Sequence, residues 1–280
     1  QLIFYAIDII KKVKPKFVLI ENVPRQLSTR IIYNNRRILI PDYIKLSLEK
    51  YYKIYDDSIF NSADYGIPQS RKRSITRMVS NKSSITWGRP AKNKSLISME
   101  EAIGHLPSLD PYIRQEDKRS FFPNYENKKA KGLRISKWHY PPTHSWHHIE
   151  WMMHTPSGKS AFENKIFYPQ KDRGIRINGR ISTYKRYAWD KPANTLTQNN
   201  GVISSAVCVH PGRLTNKSNN EKIRIYSDSR VLTIYELMII SSLPLDWNIP
   251  EWVTEKLIRN GIGEGVPPLL VKRIIQEILD

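Results

Sequence analysis

Cysteine is almost missing: Cys208 stands alone in 280 residues, and one thiol can neither close an intramolecular disulfide nor build a thiolate zinc cluster. That accords with a reducing compartment. Long hydrophobic runs are missing too, since the richest stretch, residues 231–245, is interrupted by Glu236 and falls short of the roughly 20 apolar residues of a bilayer span. The N-terminus is not a secretory signal, so the chain reads as intracellular (cytoplasmic), with no membrane partner. Acidic residues are scarce beside basic ones: 45 Lys+Arg minus 26 Asp+Glu leaves +19, with a pI of about 9.9. Such an excess favours a polyanionic partner, and nucleic acid suits it better than a membrane because no basic amphipathic helix stands out. Internal repeats and low-complexity tracts are likewise missing. What is present, 40% hydrophobic and 10% aromatic residues, belongs to a folded chain and not to a disordered one.

Leu2, Ala6, Ile9, Ile10 and Val13 share one helical face, and Lys14-Pro15-Lys16 ends that helix. Phe17 to Ile20 follow as an unbroken apolar run, the pattern of a short strand covered on both faces, as in a parallel sheet. Glu21-Asn22 stand at its carboxyl end, where open α/β sheets bind ligands. A parallel sheet needs strands before this helix, so the chain, which opens on Gln1 and not Met, reads as the later part of a larger domain. A second helix is expected after Pro41-Asp42 to about Tyr52, then strands over residues 54–60 and 74–79 around a polar loop. From Ser80 to about residue 185 the chain turns loop-rich, apart from a short helix at residues 98–105 opened by a Ser98…Glu101 capping box. Helical periodicity returns at residues 227–242 and 269–279.

A strand ending in two polar residues is common, so Glu21-Asn22 alone decides nothing. The loop Ala63-Asp64-Tyr65-Gly66-Ile67-Pro68-Gln69-Ser70-Arg71-Lys72-Arg73 is more distinctive. Its Gly and Pro set a tight turn, and two arginines spaced by one project from the same side of a strand. Planar guanidinium groups there can hold a phosphate or a base carbonyl, although a solvated basic hairpin tip has the same composition. His144, His147 and His148 have helical spacing with His139 and His154 nearby, yet no cysteine or ordered acid completes a tetrahedral set, and no metal is expected. Trp138, Trp146, Trp151, Lys159 and Lys165 mix aromatics with cations, as a nucleic-acid groove does and as a small domain's core with a basic exterior also does.

Taken in order, Glu-Asn-Val after an apolar strand and the Tyr-Gly-Ile-Pro-Gln-x-Arg-x-Arg loop resemble the cytosine carbon-5 DNA methyltransferases of bacterial restriction–modification systems. The likeness continues through Lys191-Pro192-Ala193-Asn194-Thr195-Leu196-Thr197, then Arg230-Val231-Leu232-Thr233-Ile234-Tyr235-Glu236 running to Leu243-Pro244-Leu245-Asp246-Trp247. It closes at Ile262-Gly263-Glu264-Gly265-Val266-Pro267-Pro268. The resemblance implies an α/β fold: a partial Rossmann-like methyltransferase domain that uses S-adenosylmethionine, with a smaller loop-rich target-recognition domain. It implies catalytic roles for Glu21 at cytosine N3, with a raised pKa in a dry pocket; for Asn22, which would orient that acid and the nearby backbone; for Arg73 at cytosine O2; and for Arg71 at a phosphate. Gln69, which would buttress its loop, Thr195 and Arg230 would lie on the DNA side, and Gly263, Glu264 and Val266 on the cofactor side. The base would be swung out of double-stranded DNA to reach the pocket.

The departures are specific. The family's glycine-rich cofactor loop and Pro-Cys nucleophile normally precede the Glu-Asn-Val strand, and neither occurs in these residues. Cys208 is not preceded by Pro and reads as an ordinary buried cysteine. Glu264 stands where the family usually carries Asn, and Leu243 where it carries Phe. The expected layout is the later part of a catalytic domain over residues 1–85, a recognition domain over 86–250 whose residues 87–184 read the major groove, and a C-terminal segment over 251–280 that packs back on the first. Taken alone, the chain is expected to be inactive. It reads as a fragment of a single-chain enzyme, as one subunit of a split enzyme whose partner polypeptide brings the missing half, or as a catalytically silent DNA-binding module. An RNA cytosine methyltransferase is a weaker variant.

Overall fold

A computed structural model describes residues 2–55, 58–171, 174–215 and 224–279. The chain divides into two compact units, one of residues 1–65, 71–94 and 270–280, the other of residues 66–70 and 95–269. No helix among the described residues is long and apolar enough to cross a membrane.

In the first unit, α1 (Leu2–Val13) leads into β1 (Phe17–Asn22), and a single 3₁₀ turn (Pro24–Ser28) connects to a hairpin, β2 (Arg30–Tyr33) and β3 (Arg36–Leu39). Then come α2 (Ile40–Leu48), β4 (Tyr52–Tyr55) and β5 (Ile59–Asn61). The expected strand over residues 54–60 crosses residues 56–57, which lie outside the described residues. The long strand of the double-arginine segment, Lys72–Ser80, pairs antiparallel with β1 on one side and with β4 and β5 on the other.

Among the described residues β1 is an edge strand whose one partner runs antiparallel, from Phe17 opposite Val79 to Asn22 opposite Ser74. An apolar run reports burial on both faces and carries no information on direction. Ile7, Ile10, Val18, Tyr43, Ile44, Leu48, Tyr52 and Met78 form this unit's core, and the buried Trp87 indole donates to the Ile274 carbonyl at 2.7 Å.

The second unit is loop-rich. It holds α3 (Met99–Ile103), whose Ser98/Glu101 capping box forms as expected, α4 (Tyr125–Ile135), α5 (Trp146–Met153), α6 (Ile234–Ile240) and α7 (Glu255–Glu264). A final helix, α8 (Pro268–Leu279), begins here and belongs to the first unit from Leu270 onward. The helix expected over residues 227–242 begins only at Ile234, because Thr233 caps it and accepts the amide of Glu236 while the Glu236 carboxylate accepts the amide of Thr233. Met99, Ile103, Tyr187, Leu196, Leu232, Ile234, Leu237 and Met238 fill the core. The short strand β6 (Gln69–Ser70) pairs parallel with Ala193–Asn194; in chain order the Lys72–Ser80 strand is β7 and Ala193–Asn194 is β8.

Candidate active site

Antiparallel pairing of β1 with β7 places Glu21 opposite Ile75 and Asn22 opposite Ser74, so Arg73 falls diagonally beside the acid. Its guanidinium Nε meets Glu21 Oε1 at 2.8 Å, with the two side chains 12% and 30% exposed. Arg73 also donates to the Lys72 carbonyl, which holds the fork alongside the strand. The charged pair thus sits at the carboxyl end of β1, mostly but not wholly withdrawn from solvent. Asn22 Oδ1 accepts the Val23 amide at 2.8 Å. This fixes the turn after the strand, so Asn22 orients backbone and makes no direct bond to the glutamate.

Arg71 behaves differently from its neighbour. Its side chain is 1% exposed, and its backbone is held by Ser62, which both accepts its amide and donates to its carbonyl. Burial and the adjacent Arg73 charge push its pKa down to about 10 against the pull of Glu21, so it stays a cation at neutral pH. The expected phosphate contact has no exposed surface to use. Arg71 is a buried positive charge that is attracted by Glu21 and repelled by Arg73.

In the second unit, Gln69 is 1% exposed and donates to Ser241 Oγ at 3.2 Å and the Ile240 carbonyl, which buttresses its loop and leaves it no face for DNA. Exposed Thr195 donates to the Ser70 carbonyl at 2.8 Å, beside the β6–β8 ladder. Arg230 is fully buried. It forms a bidentate pair with Glu236 at 2.8 and 2.9 Å, meets Asp228 at 2.8 Å and donates to the Leu109 and Val231 carbonyls. The expected DNA contact of Arg230 is therefore corrected to an internal anchor that ties the chain before α6 to the Leu109 loop. This cluster went unread in the sequence, although the Thr233-x-x-Glu236 spacing was available to find it.

All residues, 1–280, match the family model of C-5 cytosine-specific DNA methylases. The chain belongs to the cytosine-5 DNA methylase family. Type II methyltransferase M1.HgaI of Avibacterium volantium is 43% identical over 279 residues, which is all of this chain and 70% of that protein. M1.HphI of Haemophilus parahaemolyticus is 27% identical over 274 residues, and there the chain spans 59% of the relative. Among solved structures, a prophage-encoded E. coli protein described as a DNA modification methyltransferase superposes with a TM-score of 0.62 at 18% identity, covering 98% of this chain and 71% of that one. The Entamoeba histolytica methyltransferase EhMeth follows at 0.51 and 14%, covering 95% of this chain and 63% of that one. At these identities the two structures support the fold, a methyltransferase α/β architecture.

In this chain the cofactor-side residues give a mixed answer. A Cβ on Gly263 would lie 2.4 Å from the Thr197 carbonyl oxygen, so that glycine exists to let α7 pack on the Pro-Ala-Asn-Thr-Leu-Thr segment. Glu264 accepts a hydrogen bond from Gln198 of the same segment. Val266 lines a cavity of about 40 Å³ with Leu243, Trp247 and Ile262, well below the roughly 300 Å³ that a cofactor-sized ligand needs. These residues alone do not fit S-adenosylmethionine. Cys208 is buried, donates to the Val202 carbonyl, and has its pKa pushed up to about 12 by burial, so it is no thiolate nucleophile. His144 Nε2 accepts the Val231 amide and His154 faces the Arg224 carbonyl; both are committed to backbone.

Proposed function

We propose that the chain supplies the base-activating and sequence-reading parts of a DNA (cytosine-5-)-methyltransferase of a restriction–modification system, acting on a flipped cytosine with S-adenosylmethionine as methyl donor. The observation that carries this reading is the 2.8 Å Glu21–Arg73 pair at the end of β1, on a chain that belongs to the family. Cytosine offers two adjacent acceptors, N3 and O2, to any such site. An ionised carboxylate cannot donate to N3, so the base has to draw the guanidinium from Glu21 to O2 while the partly exposed carboxyl takes up a proton from solvent and donates it in a hydrogen bond to N3. Both changes pull electron density from carbon 6 and prepare it for a thiolate. Buried Arg71 keeps the surroundings cationic, which stabilises the charge that then gathers on O2.

The thiolate has to come from outside these residues, because the single thiol present is buried and protonated. The residues matched to the cofactor do not form its site alone, so no step is assigned to them. Sequence reading falls to the second unit, where Arg114, Gln115, Thr143, His144 and Ser145 line a cleft of about 530 Å³ in which the Arg114 and Gln115 donors suit base edges. With a polypeptide carrying the family's Pro-Cys and glycine-rich segments, the chain is expected to transfer labelled methyl groups to duplex DNA, and without it to transfer none. In the complemented system Glu21→Gln should lower turnover by about 10²- to 10⁴-fold with specific DNA binding retained; equal turnover removes the assignment. The buried thiol equally suits a silent DNA-binding module, for which complementation restores no transfer.

A further inference from the structure

Between Asn22 and Pro41 the sequence carries Arg25, Arg30, Arg36 and Arg37 and no acid. All four side chains are exposed. Among the described residues none has a carboxylate partner. Arg30, Arg36 and Arg37 sit on the β2–β3 hairpin, whose register sets Arg30 opposite Leu39, Ile32 opposite Arg37 and Tyr33 opposite Arg36.

Cross-strand alternation therefore gives the ribbon two unlike faces. One face, with Ile31, Tyr33 and Ile38, packs on the first unit's core, Tyr33 lying 5.0 Å from Tyr43 between ring centroids. The other presents Arg30, Arg37 and an Ile32 that is 67% exposed. Asn34 and Asn35 make the two-residue turn with φ of 48° and 60°, the left-handed pair of a type I′ hairpin, which matches the strand twist and keeps the ribbon tight. Arg36, opposite Tyr33, belongs by register to the anchored face but stands exposed beside the turn, so the hairpin is cationic along one face and at its tip.

Its root fixes where that charge acts. Arg30 follows Asn22 by eight residues, a span of less than about 28 Å even fully extended, and the intervening 3₁₀ turn packs against β7, the strand that carries Arg73. Resting on the function proposed above, we infer that the hairpin of residues 30–39 is a second DNA-contacting element: a β-ribbon whose Arg30, Arg36 and Arg37 hold duplex phosphates next to the reacting base, independently of sequence. A two-stranded ribbon is narrow enough to lie along a groove, and guanidinium groups on a rigid scaffold are suited to phosphate oxygens.

The test measures affinity of the full chain for duplex DNA between about 0.05 and 0.2 M salt. Each phosphate contact contributes about 0.9 to the slope of log affinity against log salt. Replacing all three arginines by Gln should lower that slope by about 2 to 3, and affinity near 0.15 M salt by on the order of a hundredfold. The duplex sequences enriched from a random pool should stay the same. The triple Arg→Lys variant keeps the charges and should keep the slope, which separates lost contacts from lost folding. Replacing Lys11, Lys12 and Lys50, exposed on the same unit, should change the slope little. An unchanged slope in the Gln variant, or an equal fall in the lysine control, overturns the hairpin assignment while leaving the proposed function standing. Failure of the unsubstituted chain to enrich any sequence overturns both.

Discussion

Arg230 offers a direct decision between an internal anchor and a DNA contact. Replacing it by Met keeps the volume and removes a guanidinium that is wholly buried and makes three charge-assisted bonds, two to Glu236 and one to Asp228. What remains is two carboxylates, each 2% exposed or less, stripped of their shared guanidinium and left with neutral donors: Ser108, Ser227 and the Leu109 amide on Asp228, and the Thr233 amide on Glu236. Arg230 and its neighbours hold the Glu236 pKa down near 2 and that of Asp228 below the usual carboxylate range despite burial, so both are ionised at neutral pH. Breaking such a pair from one side costs about 3–5 kcal/mol. For a unit of this size each kcal/mol moves the midpoint by about 2–4 °C, so Arg230→Met should lower the melting temperature of the second unit by about 6–20 °C. Differential scanning calorimetry reads this directly, and a near-native duplex affinity well below the new midpoint would complete the case. If the variant melts within about 2 °C of the parent and loses DNA affinity, the ion cluster is not what Arg230 is for.

Two glycines on α7 make a matched pair. Ala is worth about 1 kcal/mol over Gly in a helix interior, and at Gly261 an added Cβ meets nothing within 4 Å, so Gly261→Ala should raise stability by about 0.5–1 kcal/mol. Gly263→Ala should lower it by about 1–3 kcal/mol because the Thr197 carbonyl blocks the methyl group; urea titrations in which both substitutions move the same way would contradict this. A pH series tests the histidines. Burial pushes His144 down to about 3 and His210 to about 4, both below the ordinary 6.5, so the unfolded chain binds protons that the folded one refuses. Stability from these two is full above about pH 6.5 and falls on acidification toward pH 4 by up to two protons' worth of slope. Denaturation midpoints that do not change between pH 7 and pH 5 would refute the neutral, buried assignment.

The order of motifs in the sequence singled out Glu21 and Arg73, an acid at a strand end and an arginine beyond a Gly-Pro turn, and the antiparallel pairing of β1 with β7 brings these two together. What it could not supply was the direction each side chain takes. Alternation would set Arg71 and Arg73 on one face, yet Arg71 falls between β6 and β7 and is buried, while Arg73 lies in β7 and meets Glu21. That difference comes from the packing of the loop backbone on Ser62, a long-range effect no local pattern carries. Arg230 failed for the same reason, since a buried arginine and a DNA-facing one have the same letter and often the same neighbours. The β2–β3 hairpin escaped because Asn34-Asn35 replaces the Asn-Gly that usually signals a type I′ turn, and because Arg36-Arg37 hides the alternation of its strand.

These misreadings share a physical origin that also bears on mechanism. In a protein of charge +19, most cations are solvated and interchangeable, and only those matched to a carboxylate or removed from water acquire individual roles. Arg230 is matched and buried, Arg71 is buried, and Arg73 is matched at a site still open to solvent. Arg73 is therefore the one of the three that can exchange its partner without exposing a buried charge. Handing its guanidinium from Glu21 to a bound acceptor costs little, whereas the same transfer by Arg230 would strand two buried acids. The function proposed for Glu21, releasing its carboxyl group to donate a hydrogen bond and recovering it afterwards, calls for a pair with that partial exposure. A fully buried Glu21–Arg73 pair would be too tightly locked to open, and a fully solvated one too weak to preorganise the acid.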